Sequence, residues 1–160
     1  MGRLDGKDVR MLNLLQKDCR VSFTEMARQI GLSIDATKKR YHKMIEAGFF
    51  YPKIQLRPRQ LGFPNIVNVR LKVRGYNKKL LREFIDYLTE HPRVPELFSV
   101  SGQWDYSLVI IARDNEDLAK VSKEIRERFS TIIHDWQESL TTMVYKFEQY
   151  DVSKLTGGSP

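Results

Sequence analysis

A chain of 160 residues, 41% of them hydrophobic, can bury one core or two small ones, yet no stretch approaches the ~20 apolar residues of a membrane span. The opening Met1-Gly2-Arg3-Leu4-Asp5 has no apolar leader core, and Cys19 is the only cysteine; these features point to a cytoplasmic protein with a buried reduced thiol, and exclude an intrachain disulfide or a cysteine-built zinc site. The net charge of +7 is segregated, because residues 1–75 carry 16 Lys/Arg against 6 Asp/Glu while residues 76–160 carry 11 against 14, as in a polyanion-binding module joined to something else.

In chain order, Asp5 can cap a first helix whose apolar positions Val9, Leu12 and Leu15 follow a 3.6-residue period, with Met11 and Leu14 beside them. Ser22-Phe-Thr-Glu25 has the form of a capping box opening a short helix through Met26, Ala27 and Ile30, stopped at Gly31. Ser33 caps a third helix running to about Ala47, with Gly48 as its stop. Two short helices around Gly31-Leu32-Ser33 make a helix-turn-helix. The aromatic, β-branched run Phe49 to Leu56 is too short for a helix and reads as a small hairpin or extended arm. Residues 57–64, with two prolines and a glycine, read as a linker.

Beyond it, Val67, Val69, Leu71 and Val73 alternate with Asn68, Arg70, Lys72 and Arg74, a strand pattern. Leu80, Leu81, Phe84, Ile85 and Leu88 form a helical stripe ended by His91-Pro92. Val94 to Ser101 and Trp104 to Ala112 read as strands around Gly102-Gln103. Leu118, Val121, Ile125 and Phe129 form the next helical stripe, and Asp135 to Phe147 the last strand. The order β-α-β-β-α-β is the ferredoxin-like split. The predicted architecture is therefore α+β: a winged helix-turn-helix over 1–56, the 57–64 linker, a ferredoxin-like domain over 65–150, and a tail over 151–160 whose end, Leu155 to Pro160, reads as loose and has no assigned role. Tyr106, Leu108 and Ile110 on one side of a strand, and Ser107, Val109 and Ile111 on the other, leave both faces uncharged. Two helices cover one face of a sheet, so the second predicts pairing with another subunit.

On the third helix, Ile34, Thr37, Tyr41, Met44 and Ile45 are expected to face the helical core. The opposite face supplies the candidate DNA contacts: Ser33, Asp35, Ala36, Lys38, Lys39, Arg40, His42 and Lys43. Lysines attract phosphate or reach guanine acceptors, and Asp35 could accept from a cytosine amine. An Asp35–Lys39 pair on a merely solvated face is the competing reading. Arg57 and Arg59 could clamp phosphates beside the wing. His42 has no partner at metal-ligand spacing, so neither metal nor cofactor is expected. In the second domain the turn Gly102, Gln103, Trp104, Asp105 and Tyr106 places an acid, an indole and a phenol at one sheet edge. The acid could take an ammonium group and the turn amides a carboxylate; alternatively, Gly102 supplies a positive φ and Asp105 bonds backbone. No phosphate loop, zinc-protease motif or nucleophile elbow is present, which argues against an enzyme.

These residues resemble the Lrp/AsnC, or feast/famine, family of regulators. The resemblance runs through Leu4-Asp5-x-x-Asp8, Leu12, Leu15, Arg20-Val-Ser22, Glu25-Met-Ala27, Gly31-Leu-Ser33, Arg40, Met44, Glu46, Gly48 and Leu61-Gly62, then resumes at Val100-Ser-Gly102 and Asp105-Tyr106. It covers about residues 3–148. It implies a sequence-specific transcriptional regulator of double-stranded DNA, built as a homodimer paired through its sheets and often assembled into octamers, with an amino acid or similar small molecule bound between dimers. Carried onto this chain, the resemblance makes residues 23–42 the helix-turn-helix and the Gly102–Tyr106 turn part of the effector pocket, with Ser139, Thr141 and Thr142 near it. The chain departs from the family at Ile34, Asp35, Thr37, Tyr41 and the bulky Trp104. Siroheme decarboxylases resemble the same architecture, but the paired arginines and histidine they place after the wing are missing from residues 52–63. An architectural protein binding DNA without sequence preference is the third reading; its affinity would depend on salt alone.

Overall fold

The computed structural model describes residues 4–75 and 77–157. The chain divides into two compact units, one running through Gln55 and including residues from Tyr145 onward, the other Leu56–Val144.

The first unit opens with three helices, α1 (Gly6–Lys17), α2 (Phe23–Ile30) and α3 (Ile34–Glu46). Their apolar stripes converge, so Met11, Leu12, Met26, Ile30 and Met44 form one small core. Each start is capped by the expected side chain, worth about 1 kcal/mol apiece: Asp5 for α1, Ser22 for α2 and Ser33 for α3. The capping box, however, belongs to α1. There the Asp8 amide donates to Asp5 and the Asp5 amide donates back to Asp8. Glu25, expected to reach back over α2, instead takes hydrogen bonds from Arg28 and Gln29. Gly31 and Gly48, both left-handed, end α2 and the turn after α3.

The stretch after Gly48 forms no strand: Phe49 and Phe50 lean on the helical core, and Tyr51 to Leu56 is exposed. The extended arm stands, and the wing hairpin does not, because among the described residues of this unit no second strand lies beside it. Cys19, expected to be buried, is exposed just beyond α1. In the tail, Val152–Leu155 forms a short helix, α6, packed against α1, so the segment expected to be loose begins only after Leu155; residues 158–160 lie outside the described residues.

The second unit contains a short 3-10 helix (Pro58–Leu61), then β1 (Asn65–Val73), α4 (Lys78–Glu90), β2 (Glu96–Ser99), β3 (Tyr106–Ala112), α5 (Asn115–Arg128) and β4 (Ile133–Leu140). The sheet order is β2-β3-β1-β4, with every pair antiparallel, the predicted ferredoxin-like arrangement. The alternation of β1 sends Val67, Val69 and Leu71 under the helices, where they meet Phe84, Leu88, Leu108, Ile110 and Ile125.

Three strands are shorter than expected. Pro95 has no amide to donate, so β2 begins only at Glu96. Residues 104 and 105 belong to the turn before β3. β4 ends at Leu140, opposite Val67 and two residues short of the start of β1; beyond it the Thr141 amide makes the last bond, to the Ile66 carbonyl, while Arg59 takes the carbonyls of Thr141 and Thr142. Among the described residues no helix is long and apolar enough to cross a membrane.

Candidate functional site

The helix-turn-helix is held in shape by a few bonds. After Gly31, the Leu32 amide returns to the Ala27 carbonyl at 3.0 Å, and the Ser33 hydroxyl accepts from the Ala36 amide at 3.2 Å. Lys7 on α1 donates to the Gly31 carbonyl at 3.1 Å. Thr37 is fully buried, and its hydroxyl donates to the Ser33 carbonyl at 2.9 Å, so a polar residue costs the core nothing there. Tyr41 packs edge-on against Phe23 and Phe50. The two departures from family habit are thus accommodated inside the unit. Ile34, expected in the core, is 41% exposed: as the first residue of α3 it points off the end of the helical stripe.

The opposite face is open. Ser33, Asp35, Lys38, Lys39, His42 and Lys43 are exposed and Ala36 is half-buried. Among the described residues Lys38, Lys39 and Lys43 join no ion pair, and the Asp35–Lys39 contact offered by spacing is not formed. Three lysines without ion-pair partners, beside an exposed His42 whose ring packs edge-on against Tyr41, therefore line one side of α3.

Arg40 is the exception. It turns toward α1, where one guanidinium nitrogen donates to Asp5 at 2.6 Å and to Asp8 at 2.7 Å. Burial raises the Asp5 carboxyl pKa, but the amide of Asp8 and the Arg40 guanidinium outweigh it and hold Asp5 below its ordinary value. Arg40, expected among the groove contacts, is instead the strut between α3 and α1. Asp5 and Asp8, three residues apart on the first turn of α1, are its signal in the sequence.

In the second unit Asp105 is anchored on β1. Its amide donates to the Leu71 carbonyl at 3.1 Å, and its carboxylate accepts from the Val73 amide at 2.9 Å. Its own carbonyl accepts from the Val100 amide, closing a turn in which Gly102 has φ +121. A side chain at Gly102 would be strained although nothing crowds it. Tyr106 points to the helical side, edge-on to Phe84. Gly102 and Gln103 are exposed and Trp104 is half-exposed. The turn therefore presents backbone amides, Trp104 and one unused carboxylate oxygen of Asp105; Tyr106 belongs to the core.

Ser139, Thr141 and Thr142 do not join that turn. Ser139 pairs with Asn68 and Leu140 with Val67, whereas the turn abuts Leu71 and Val73. At ~3.3 Å per residue that puts Ser139 about 10 Å or more away along β1, and Thr141 and Thr142 farther. Arg59, expected as a phosphate clamp, donates instead to the carbonyls of Thr141 at 2.9 Å and Thr142 at 3.1 Å. Nothing in the sequence pattern marks that contact.

The sheet face away from the helices carries Phe98, Ser107, Val109 and Ile111 along β2 and β3. Phe98 is 54% exposed. A cavity of about 1120 Å³ lies on the other side between α4 and α5, toward Arg93 and Arg113 and away from the turn. Several of its charged groups are already engaged: Arg93 pairs with Asp117 and lies over the Phe63 ring, Glu124 accepts from Tyr87, and Arg128 stacks on Tyr87. No cluster of metal-ligating side chains occurs among the described residues.

Comparisons with known proteins agree with this anatomy. The AsnC-type helix-turn-helix domain matches residues 4–45, and the Lrp/AsnC ligand binding domain matches residues 66–146. A proline dehydrogenase transcriptional activator of Rhodobacter capsulatus is 30% identical over 132 residues, covering 82% of this chain and 84% of that protein. The HTH-type transcriptional regulator LrpA of Pyrococcus horikoshii is 34% identical over 119 residues, covering 74% and 82%. Among solved structures, the transcriptional regulator NMB0573 of Neisseria meningitidis in complex with L-Met superposes with a TM-score of 0.81 at 22% identity, over 91% of this chain and 94% of that one. AsnC of E. coli gives the same TM-score at 19% identity, over 94% and 99%.

Proposed function

Because the chain belongs to the Lrp/AsnC family of DNA-binding transcriptional regulators, we propose that it reads double-stranded DNA through the open face of α3, as a homodimer paired by its sheets and modulated by an amino acid. The observation that carries the reading is the row of cations on α3 without intramolecular partners. Helix faces that serve only solubility commonly satisfy such charges with i,i+4 acids, as α5 does with Glu116–Lys120 and Lys123–Glu127. On α3 neither acid in reach is used: Asp35 forms no pair with Lys39, nor Glu46 with Lys43. Ser33, Asp35, Ala36, Lys38, Lys39, His42 and Lys43 are the contacts proposed to meet bases and phosphates; Arg40 is not among them. In a helix-turn-helix the N-terminal part of the second helix enters the major groove, which places Asp35, Ala36 and Lys39 at base edges and Lys43 toward the backbone.

The dimer reading rests on the uncovered sheet face, where Phe98 and Ile111 flank a Val109 that is already buried. A second copy of the sheet would cover it. The effector reading rests on the Gly102–Asp105 turn, whose free amides suit a carboxylate and whose remaining Asp105 oxygen suits an ammonium; the L-Met bound to the Neisseria protein supports an amino acid as the ligand class. Such a ligand alters DNA affinity only through unequal affinity for two assembly or conformational states.

The test is a titration of full-length protein against duplex DNA at several salt concentrations, beside Lys38→Ala/Lys39→Ala/Lys43→Ala. Removing three cations from each protomer, six from the dimer, should lower affinity at least about a hundredfold and reduce the salt slope by up to about five, at ~0.9 per phosphate contact. An unchanged slope would take α3 out of the interface.

A further inference from the structure

We propose that the C-terminal segment, from Tyr145 onward, is a clasp that positions the DNA-binding unit, with Asn13 and Gln16 as its receptors on α1 and Arg59 as the staple at its root. The proposal rests on the DNA-binding reading above and names residues outside the recognition face.

Two observations carry it. First, the docking is specific. The Gln16 carboxamide donates to the Tyr150 carbonyl and accepts from the Tyr150 amide, both at 2.9 Å. A side-chain amide thus pairs with a peptide group as a neighbouring strand would, and a slip of one residue forfeits both bonds. One turn earlier on the same face of α1, Asn13 donates to the Ser153 hydroxyl at 3.0 Å and accepts from the Val152 amide at 3.2 Å. Val152 then packs against the helical core, and Asp151 caps α6 by accepting from the Lys154 amide.

Second, the chain passes between its two units twice, at Gln55–Leu56 and again at Val144–Tyr145. Arg59, beside the first passage, holds the carbonyls of Thr141 and Thr142, just before the second. The two connections therefore leave the effector-domain unit fastened together. The ligand-domain match ends at residue 146, so nearly all of the clasp lies outside both matched regions. A unit hung only from the extended arm could reorient freely. A second connection ending on α1, the helix that Arg40 braces against α3, restricts that freedom. Asn13, Gln16 and Arg59 are thereby positioning residues: they limit which separation of half-sites a dimer accepts.

The experiment uses the full chain and a panel of duplexes carrying two copies of its selected half-site, with the spacer changed one base pair at a time. For the native protein, affinity should fall about tenfold or more when half a helical turn, ~5 base pairs, is added. Asn13→Ala/Gln16→Ala, Val152→Asp and Arg59→Gln should reduce that penalty to threefold or less while single half-site binding stays within about twofold. Val152→Ile should keep the native profile. Arg59 lies outside the DNA-binding unit, so its variant reports even where the others unfold that unit. A native spacing profile in the Arg59 variant and the folded α1 variants would overturn the clasp. Amide exchange at Tyr150 and Val152 reads the contact without DNA: protection is expected, and fast exchange would overturn the clasp while leaving the DNA-binding reading intact. Failure of the native chain to select any half-site would instead overturn that reading and take the spacing claim with it.

Discussion

Arg40 of the recognition helix donates to Asp8 of α1 across 2.7 Å, through the same nitrogen that reaches Asp5 at 2.6 Å. The basic residue nearest the middle of α3 is thus a strut within its own domain. Arg40→Ala should lower the stability of the DNA-binding unit by about 1–3 kcal/mol, because Asp8, only 13% exposed, loses its charged partner. DNA affinity should fall with it, while the salt slope changes little, since no phosphate contact is lost. Thermal melting and salt titrations of one preparation check both; a slope reduced by about one would make Arg40 a phosphate ligand after all.

The open sheet face gives a second expectation. Phe98→Glu sits at a position already 54% exposed, so folding should tolerate it, whereas a paired sheet should not accept the charge. Light scattering should show the mass falling from dimer or higher to monomer. A variant that keeps the native mass would place the subunit contact elsewhere.

At the turn, Asp105 has one oxygen committed to the Val73 amide. Asp105→Asn can retain that acceptor and should keep the fold, but loses the charge offered to an ammonium group. Asp105→Ala removes both and should cost about 1–3 kcal/mol through the unpaired Val73 amide. Calorimetry with the common amino acids should find a ligand for the native chain and at least tenfold weaker binding to Asp105→Asn. Equal binding would leave Asp105 with its structural duty alone.

His91 sets a pH expectation. Burial lowers its pKa, the Glu124 carboxylate opposes the shift and Arg93 adds to it, for a net value below the ordinary 6.5. Its Nδ1 also accepts from the Arg93 amide, a bond that protonation would break. The folded state binds the proton less well than the unfolded chain, so the contribution to stability is complete above pH 6.5 and declines as pH falls through the lower folded value. The melting temperature of the ligand-domain transition should drop between pH 7 and 5, and His91→Asn, which keeps an acceptor, should flatten that drop. An unflattened profile would assign the loss to other groups.

Much of this molecule is legible in the sequence where a period or a cap carries the information. The stripes of α1, α4 and α5, the Ser33 cap, and the alternation of Val67, Val69 and Leu71 lead directly to the helices, the β1 register and the core. What was not legible depended on partners distant in sequence. The choice of Glu25 between its own helix cap and Arg28 is settled by side-chain reach, not by spacing. β4 stops at Leu140 although β1 runs two residues further, and the Thr141 and Thr142 carbonyls go to Arg59, which no property of residues 141–147 reveals. The tail carries no strong period, and its order comes from Asn13 and Gln16, more than 130 positions away. At the candidate site, the exposed lysines of α3 follow from helical phase, but the inward turn of Arg40 follows from where Asp5 and Asp8 come to lie.

As a dimeric regulator, this chain should read a defined DNA sequence through paired α3 helices. The decisive measurement is selection of full-length protein on random duplex DNA at about physiological salt, followed by sequencing of the bound fraction. An enriched palindrome is expected, with half-sites about one helical turn apart, 10–10.5 base pairs centre to centre. Salt-dependent binding with no enriched sequence, or no binding at all, would contradict it.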